Sequence, residues 1–437
     1  MSAGKDRHCY WFQTVDAPSF SDAPLPEKTG VLVVGAGISG LSTAYHLLRA
    51  GRDVLIIDQG KVAMGASGRN TGMMTSEIKK EYASVIADDG IEEAESLLAL
   101  VRDAVSGIES VIAREGIACD FSRVASLYLA EGPRTVKELE SECEATSSLG
   151  IACEILDPER IEVEYPSVRA TRILRKQGEA SMNPYAFCVG LADAIVRMGG
   201  RIREGVRYVS SEEDAGGVLV TTDKGSVRAE EVCLCSDADI DAFLPVPTPV
   251  IPTWESVIVT KPFPPSVILP SHGELIWNAF PLFEYARILE GNRVMIGSER
   301  TIRVRGERPP PDPAADLLRG LNDVFDVPAA EIEFLWTGMV SVTDDWKPYA
   351  DRVSPRTLVC GGYNGHGLTL GFMAGEILAS RIASQEHPHA GTYAYPHETG
   401  RLGKFLYRFS PPFLRSLAVR FRLGIYRRED ARERRRP

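Results

Sequence analysis

The 437-residue chain has no stretch approaching the roughly 20 consecutive apolar residues that cross a bilayer. Residues Met1 to Cys9 are polar, not a charged start followed by an apolar signal core. These two absences lead us to expect a cytoplasmic protein. The eight cysteines (Cys9, Cys119, Cys143, Cys153, Cys188, Cys233, Cys235 and Cys360) form no C-x-x-C pair and have no companion His at zinc spacing. We therefore expect reduced, mostly buried thiols and no metal site. No internal repeat is present, and low complexity is confined to the Arg-rich end.

With 44% hydrophobic and 25% charged residues, the chain is globular in composition and long enough for two lobes with sizeable cores. From 401 to 437 there are twelve Lys and Arg against three Asp and Glu, so this tail carries +9 and the preceding 400 residues −20, together giving the −11 of the chain. An acidic body argues against nucleic acid as a partner.

Val31-Leu32-Val33-Val34 is a continuous apolar run, expected of a strand buried on both faces of a parallel sheet. Glycines follow at once. Ile38 to Ala50 has helical spacing, Gly51 closes it, and Asp53 to Ile57 is a second apolar strand ending at Asp58. Downstream, Ile78 to Gly116 and about Pro184 to Met198 read as helices. Val218 to Thr222, Glu231 to Cys235, Ser256 to Thr260 and Arg293 to Gly297 read as strands. The four prolines between Arg305 and Pro313 exclude regular helix or central sheet. Thr357 to Cys360 is a last strand, followed by glycines and a helix from about Leu368 to Ala383.

Gly35-Ala36-Gly37-Ile38-Ser39-Gly40 sits between the first strand and its helix. In such a unit Gly35 permits the turn, Gly37 admits a pyrophosphate to the backbone, and Gly40 lets helix and strand pack closely, while the helix N-terminus offers N–H groups to phosphates. Asp58, beside Gln59, is placed to accept from ribose hydroxyls. These features point to a dinucleotide and leave NAD and FAD unseparated.

Two further clusters bear on that choice. Gly65-Ala66-Ser67-Gly68-Arg69-Asn70-Thr71-Gly72 offers small residues, hydroxyls, an amide and a guanidinium where a nicotinamide-binding domain would enter its next helix. It is either an ordinary polar loop or a wrap around the second half of a longer cofactor. Gly361-Gly362-Tyr363-Asn364-Gly365-His366-Gly367 again joins strand to helix; it serves either close packing or a helix N-terminus aimed at a flavin ring.

Taken with Tyr10-Trp11, Asn183-Pro184, Thr343, Asp345 and Pro348, these motifs resemble the FAD-dependent D-amino-acid oxidase superfamily, over roughly residues 10 to 385. The resemblance implies an α/β (α+β two-domain) fold, with a discontinuous, Rossmann-like FAD-binding domain and a substrate-binding domain built on an antiparallel or mixed sheet plus helices. The expected division is a lead over 1–29, an FAD domain over 30–80, 176–250 and 335–400, a substrate domain over 81–175 and 251–334, and a basic tail over 401–437. It further implies that the Val206 backbone lies at the adenine and that Ser67, Arg69, Asn70 and Thr71 surround the diphosphate and flavin. Gly338, Gly362 and Gly365 to Thr369, including Leu368, would then lie near the ring. Ser236-Asp237-Ala238 departs from the small turn usual in relatives. FAD is expected to be non-covalent, because Trp336 to Ser341 has no Cys and Met64 to Glu77 no His.

In enzymes resembling this chain, a C–H bond beside a neutral amine gives a hydride to flavin N5, and the imine then hydrolyses. The acceptor is oxygen, or alternatively a quinone or protein. A non-catalytic flavoprotein acting as an assembly or scaffolding factor is a further alternative. His366 is the expected titratable neighbour of the flavin, and Tyr285, Trp336, Trp277 and Phe283 are candidate pocket walls. Lys347 is a candidate for helping oxygen react, against a solvated surface charge. Amino-acid oxidases of this kind place an Arg before the Thr-x-Asp-x-x-Pro stretch to clamp a carboxylate. Trp336-Thr337-Gly338-Met339-Val340-Ser341 has none, which shifts the expectation towards an amine or N-substituted amino compound, with Arg287 as the remaining candidate. The segment Phe413 to Ile425 reads as a basic amphipathic helix, either lying on anionic lipid at the inner membrane face or packed on the acidic body.

Overall fold

Alternate residues of the run Val31 to Val34 enter two different cores. Val31 and Val33 pack with Val54, Ile56 and Leu41, whereas Leu32 and Val34 pack with Leu55, Ile57 and Val232. That is why the strand has no polar face. The computed structural model describes residues 9–20, 23–78, 81–243, 250–271, 273–304, 312–343, 346–394 and 424–430.

Strand Lys28–Val34 pairs in parallel with Val54–Ile57 on one side and Gly225–Leu234 on the other. Thr357–Gly361 extends the parallel order beyond Gly225–Leu234, and Arg201–Arg203 extends it beyond Val54–Ile57. Antiparallel strands Tyr349–Arg352, Tyr208–Asp214 and Gly217–Thr222 complete this eight-stranded sheet. Helices Ile38–Arg49 and Gly367–Ile382 lie against each other on one face. Gly375 permits the contact, because a Cβ there would meet the Ser39 carbonyl at 2.6 Å. The β-α-β unit expected from the sequence is therefore present, with the last helix of the fold packed beside its first.

A second, ten-stranded mixed sheet carries the other lobe. Its largest pairing runs antiparallel between Ile251–Thr260 and Ile332–Val342, in a register that sets Glu255 opposite Gly338. Arg293–Ser298 and Glu284–Leu289 follow in order, with Val257 opposite Gly297 and Gly297 opposite Tyr285. Strands Ser122–Ala130 and Arg172–Ser181 belong wholly to this sheet. The expected divisions at 175/176 and 334/335 thus fall inside strands of the second sheet, and the chain changes lobe only after each strand ends. Helices Tyr82–Asp89, Ile91–Glu115 and Pro133–Ser148 account for the charged helical stretch and for one helix the periodicity did not reveal. Most of the Pro-rich linker and of the basic tail, including Phe413 to Leu423, lies outside the described residues, as does Asp345.

Candidate functional site

The phosphate-type turn is built as tightly as its glycines allow. Gly35 has φ +108°, and a Cβ on it would meet the Cys235 carbonyl at 2.6 Å. A Cβ on Gly40 would run into the Gly35 carbonyl and the Val33 side chain. The helix starts at Ile38 with Gly37 as N-cap, which has no side chain to close it, and both residues line the cavity. Ile38 N–H donates to Ser67 Oγ at 2.9 Å, so the second glycine cluster is brought directly onto the N-terminus of the first. Asp58 accepts from Ala36 N–H at 2.8 Å and Gly60 N–H at 2.7 Å. Burial raises its carboxyl above the usual range, and these two bonds oppose the rise. Val206 N–H donates to the Asp58 carbonyl at 2.8 Å and does not itself face the cavity.

The 65–72 loop is held from three sides. Trp11 Nε1 donates to the Asn70 carbonyl and Trp336 Nε1 to the Arg69 carbonyl, each at 2.8 Å. Arg69 donates to the Met64 carbonyl at 2.8 Å, with its guanidinium 5.3 Å from the Phe12 ring centre. Asn70 receives Gly72 N–H and donates to the Ser67 carbonyl. Arg287 does not reach into the cavity: its Nη1 donates to the carbonyls of Thr71, Gly72 and Met182, fixing the end of this loop. With Nη1 bound to backbone and the side chain outside the cavity lining, Arg287 is not placed as a carboxylate clamp.

At the third cluster, Gly362, Asn364 and Gly365 all have positive φ before the helix that begins at Gly367. His366 N–H donates to the Tyr363 carbonyl, and its Nδ1 lies 3.3 Å from Thr75 Oγ1. Burial pushes the imidazole down to about 4, so it is neutral at physiological pH. Thr369 Oγ1 donates to the His366 carbonyl. Asp237, the departure noted in the sequence, sits at φ +45° and accepts from Ser341 Oγ at 2.5 Å and from Gly362 N–H at 3.0 Å. Burial raises its carboxyl to about 6. The Asp237 side chain thus ties the third cluster to the end of the strand Gly225–Leu234.

One cavity of about 2760 Å³ connects these parts. It is well above the ~300–1,000 Å³ of an ordinary small-ligand pocket, which suits a dinucleotide together with a substrate. Gly37, Ile38, Ser39, Asp58 and Gln59 line one end, and Gly65, Ala66, Ser67, Arg69, Asn70 and Thr71 continue the wall. Trp336, Gly338, Gly365, His366, Gly367 and Leu368 follow. A Cβ on Gly65 or Gly365 would meet nothing within 4 Å, so both turns leave open space for a ligand. Gly35, Gly40, Gly72, Gly362 and Thr369 lie behind this lining, where they shape it. Lys347 is separate from it: it flanks a different, small pocket and pairs with Glu93 at 3.3 Å, with half its side chain exposed. The reading as a surface charge is the one its position favours.

The far wall carries Tyr285, Trp277 and Phe283 as expected, and also Trp254, Glu255 and Glu299, which the sequence reading had not singled out. A Cβ on Gly297 would collide with the Tyr285 ring; its absence lets that ring cross the strand and donate to Glu255. Burial raises the Glu255 carboxyl to about 7, and the Tyr285 bond opposes this. Glu255 left only one trace in the sequence: an acid directly before the apolar strand signal at Ser256. Tyr426 of the short helix 424–430 also lines the cavity, and Arg427 donates to the Ile302 carbonyl at 2.9 Å. Among the described residues, the tail packs on its own chain.

The family profile described as FAD dependent oxidoreductase (DAO) matches residues 30–381. The chain is 28% identical over 381 residues to gamma-glutamylputrescine oxidoreductase of Escherichia coli K12, covering 85% of this chain and 88% of that one. Its fold is similar to glycine oxidase from Geobacillus kaustophilus, with a TM-score of 0.73, 19% identity and coverage of 86% and 100%. L-proline dehydrogenase from P. horikoshii is similar at a TM-score of 0.71, 17% identity and coverage of 85% and 97%. The cradle of open glycine turns, a helix N-terminus on the cavity wall and Asp58 fits the dinucleotide that such proteins use. The chain belongs to the DAO family and is an FAD-dependent oxidoreductase of the amine and amino-acid oxidase group.

Proposed function

We propose that the protein oxidises a carbon–nitrogen bond of an amine or N-substituted amino compound and passes the electrons to oxygen. One observation carries this reading: the cofactor cradle and the wall of Glu255, Tyr285, Trp277 and Trp336 enclose the same cavity. Aromatic faces and carboxylates attract a cationic or alkyl amine and disfavour a substrate carboxylate. The engagement of Arg287 by three backbone carbonyls supports the same preference.

The helix N-terminus at Gly37 to Gly40 would hold the diphosphate, Asp58 the ribose, and the 65–70 loop with the turn at Gly365 to Leu368 the flavin half. Bound FAD supplies the acceptor for the hydride leaving the carbon beside nitrogen. The chain orients that carbon with aromatic rings and places a neutral imidazole at His366, which adds no positive charge to repel a cationic substrate. Overall, amine, water and dioxygen become carbonyl compound, released amine or ammonia, and hydrogen peroxide. We propose that FAD is held without a covalent bond. Cys235 lines the cavity, but its thiol is bonded to Thr43 and Cys360 in the core, and that Cys360 bond and burial hold its pKa well above the ordinary value.

The test is aerobic turnover of a panel of amines with carbonyl product and peroxide measured together. Equal yields of the two support oxygen as acceptor. Carbonyl formed only when a redox dye is added would instead indicate a dehydrogenase with another acceptor.

A further inference from the structure

Three acids meet at the far corner of the cavity, and their surroundings differ sharply. Glu284 is buried and fully engaged: Asn278 Nδ2 donates to it at 2.7 Å, Ser298 Oγ at 3.0 Å, and Arg300 forms an ion pair with it. Arg300 is in turn shared with Asp323 at 2.8 Å. Glu255 has the Tyr285 hydroxyl. The Glu299 carboxylate has no hydrogen-bond or ion-pair partner among the described residues, and it opens onto the cavity. Its backbone is fixed, with its N–H donating to the Phe283 carbonyl at 3.1 Å. The neighbouring Arg300 points the other way, to Glu284. Burial and the nearby carboxylates of Glu255, Glu284 and Glu81 all push the Glu299 carboxyl up.

An unpartnered carboxylate drawn into an enclosed cavity is costly unless a proton or a ligand cation neutralises it. A core that needed only volume would place an apolar residue here. Instead two carboxylates, Glu255 and Glu299, face one enclosure walled by Trp254, Trp277, Phe283 and Tyr285. The cavity's Lys176 is already engaged, forming an ion pair with Glu77 and lying 3.8 Å from Glu142.

We propose that Glu255 and Glu299 form a cation-binding subsite that selects substrates carrying a second positive charge, remote from the nitrogen that is oxidised. This rests on the amine-oxidising reading and names its substrate class: α,ω-diamines and related dications. The Glu255 and Glu299 carboxylates take the distal ammonium, the aromatic walls take the alkyl chain, and the proximal nitrogen is left towards Trp336 and His366. Tyr285 acts as a positioning residue through Glu255.

The experiment uses the FAD-loaded full chain, titrated anaerobically by calorimetry with an α,ω-diaminoalkane and with the n-alkylamine of the same carbon chain. The diamine is expected to bind about tenfold or more tightly. E299Q and E255Q should each bring the ratio of the two affinities towards one, and in E299Q flavin content should stay at the wild-type level, since the Glu299 carboxylate has no bond to lose. Equal affinities in the wild type, or a preference that survives both substitutions, overturns the subsite. A preference for the diamine in a protein whose flavin no amine reduces would leave the subsite standing and refute the oxidation reading. Flavin reduction by monoamine and diamine alike, without that preference, would do the reverse.

Discussion

The Tyr285 ring lies over Gly297 and carries its hydroxyl to the Glu255 carboxylate, joining three adjacent strands of the second sheet at the cavity wall. Gly297→Ala should force the ring off this path, at a cost of ~1–3 kcal/mol for overpacking a filled site. A thermal melt of the FAD-loaded protein measures the loss. Tyr285→Phe fits sterically but removes the bond that lowers the Glu255 pKa, so the carboxyl should titrate above its present value of about 7.

Affinity for a cationic amine should rise with pH through about 7, as Glu255 becomes charged. Tyr285, Glu299, Glu81, Glu284 and Arg300 are the charged or titratable groups that surround this corner. For stability the sign is opposite. The folded protein retains on Glu255 a proton that the unfolded chain gives up near its ordinary value of 4.5, so this group's contribution is lost as pH rises from 4.5 through 7. Binding titrations and melts across that range check both directions.

Gly40→Ala and Gly65→Ala should fail in different ways. At Gly40 the added methyl meets backbone of the turn and should disrupt folding of the unit. At Gly65 it meets nothing and φ is −81°, so the apo-protein should melt as wild type while FAD affinity falls by about tenfold or more. Unchanged FAD affinity in Gly65→Ala would remove this turn from the cofactor site.

His366 should contribute no inflection near 6.5 to the pH profile of amine oxidation, because its imidazole stays neutral down to about 4. Its depressed pKa costs stability on acidification: as pH falls from 6.5 towards 4, the unfolded imidazole takes a proton that the folded one does not. His366→Gln should flatten that part of the stability profile.

The first lobe was largely readable because its signals are local. The run Val31 to Val34, the glycines at 35, 37 and 40, and Asp58 lie within about 30 residues and specify one β-α-β unit. The second lobe was harder, because strands such as Ser122–Ala130 and Arg172–Ser181 lack clean period-2 alternation and pair across long separations, as Ser122–Ala130 does with Arg172–Ser181 and Leu275–Asn278. The same reason hid Glu255: its partner Tyr285 comes from a strand two places away in the sheet, over a glycine that only the register puts between them. Asp237 was visible as a departure, but its bond to Gly362 joins residues 125 apart. Arg287 and Lys347 were assigned by residue type, and packing directed one to backbone carbonyls and the other to Glu93.

Acid precipitation of the holoprotein should leave the yellow colour in the supernatant, because no cysteine from Trp336 to Ser341 and no histidine from Met64 to Glu77 stands ready to hold flavin covalently. Colour retained in the pellet would contradict non-covalent binding.

The most direct measurement is anaerobic mixing of the FAD-loaded protein with amines, diamines and amino acids while the flavin absorbance is followed. Bleaching by amines, strongest for a dicationic one and weak for simple α-amino acids, is the expected result. Flavin that dithionite reduces but that no amine bleaches would contradict amine oxidation as the function of this cavity.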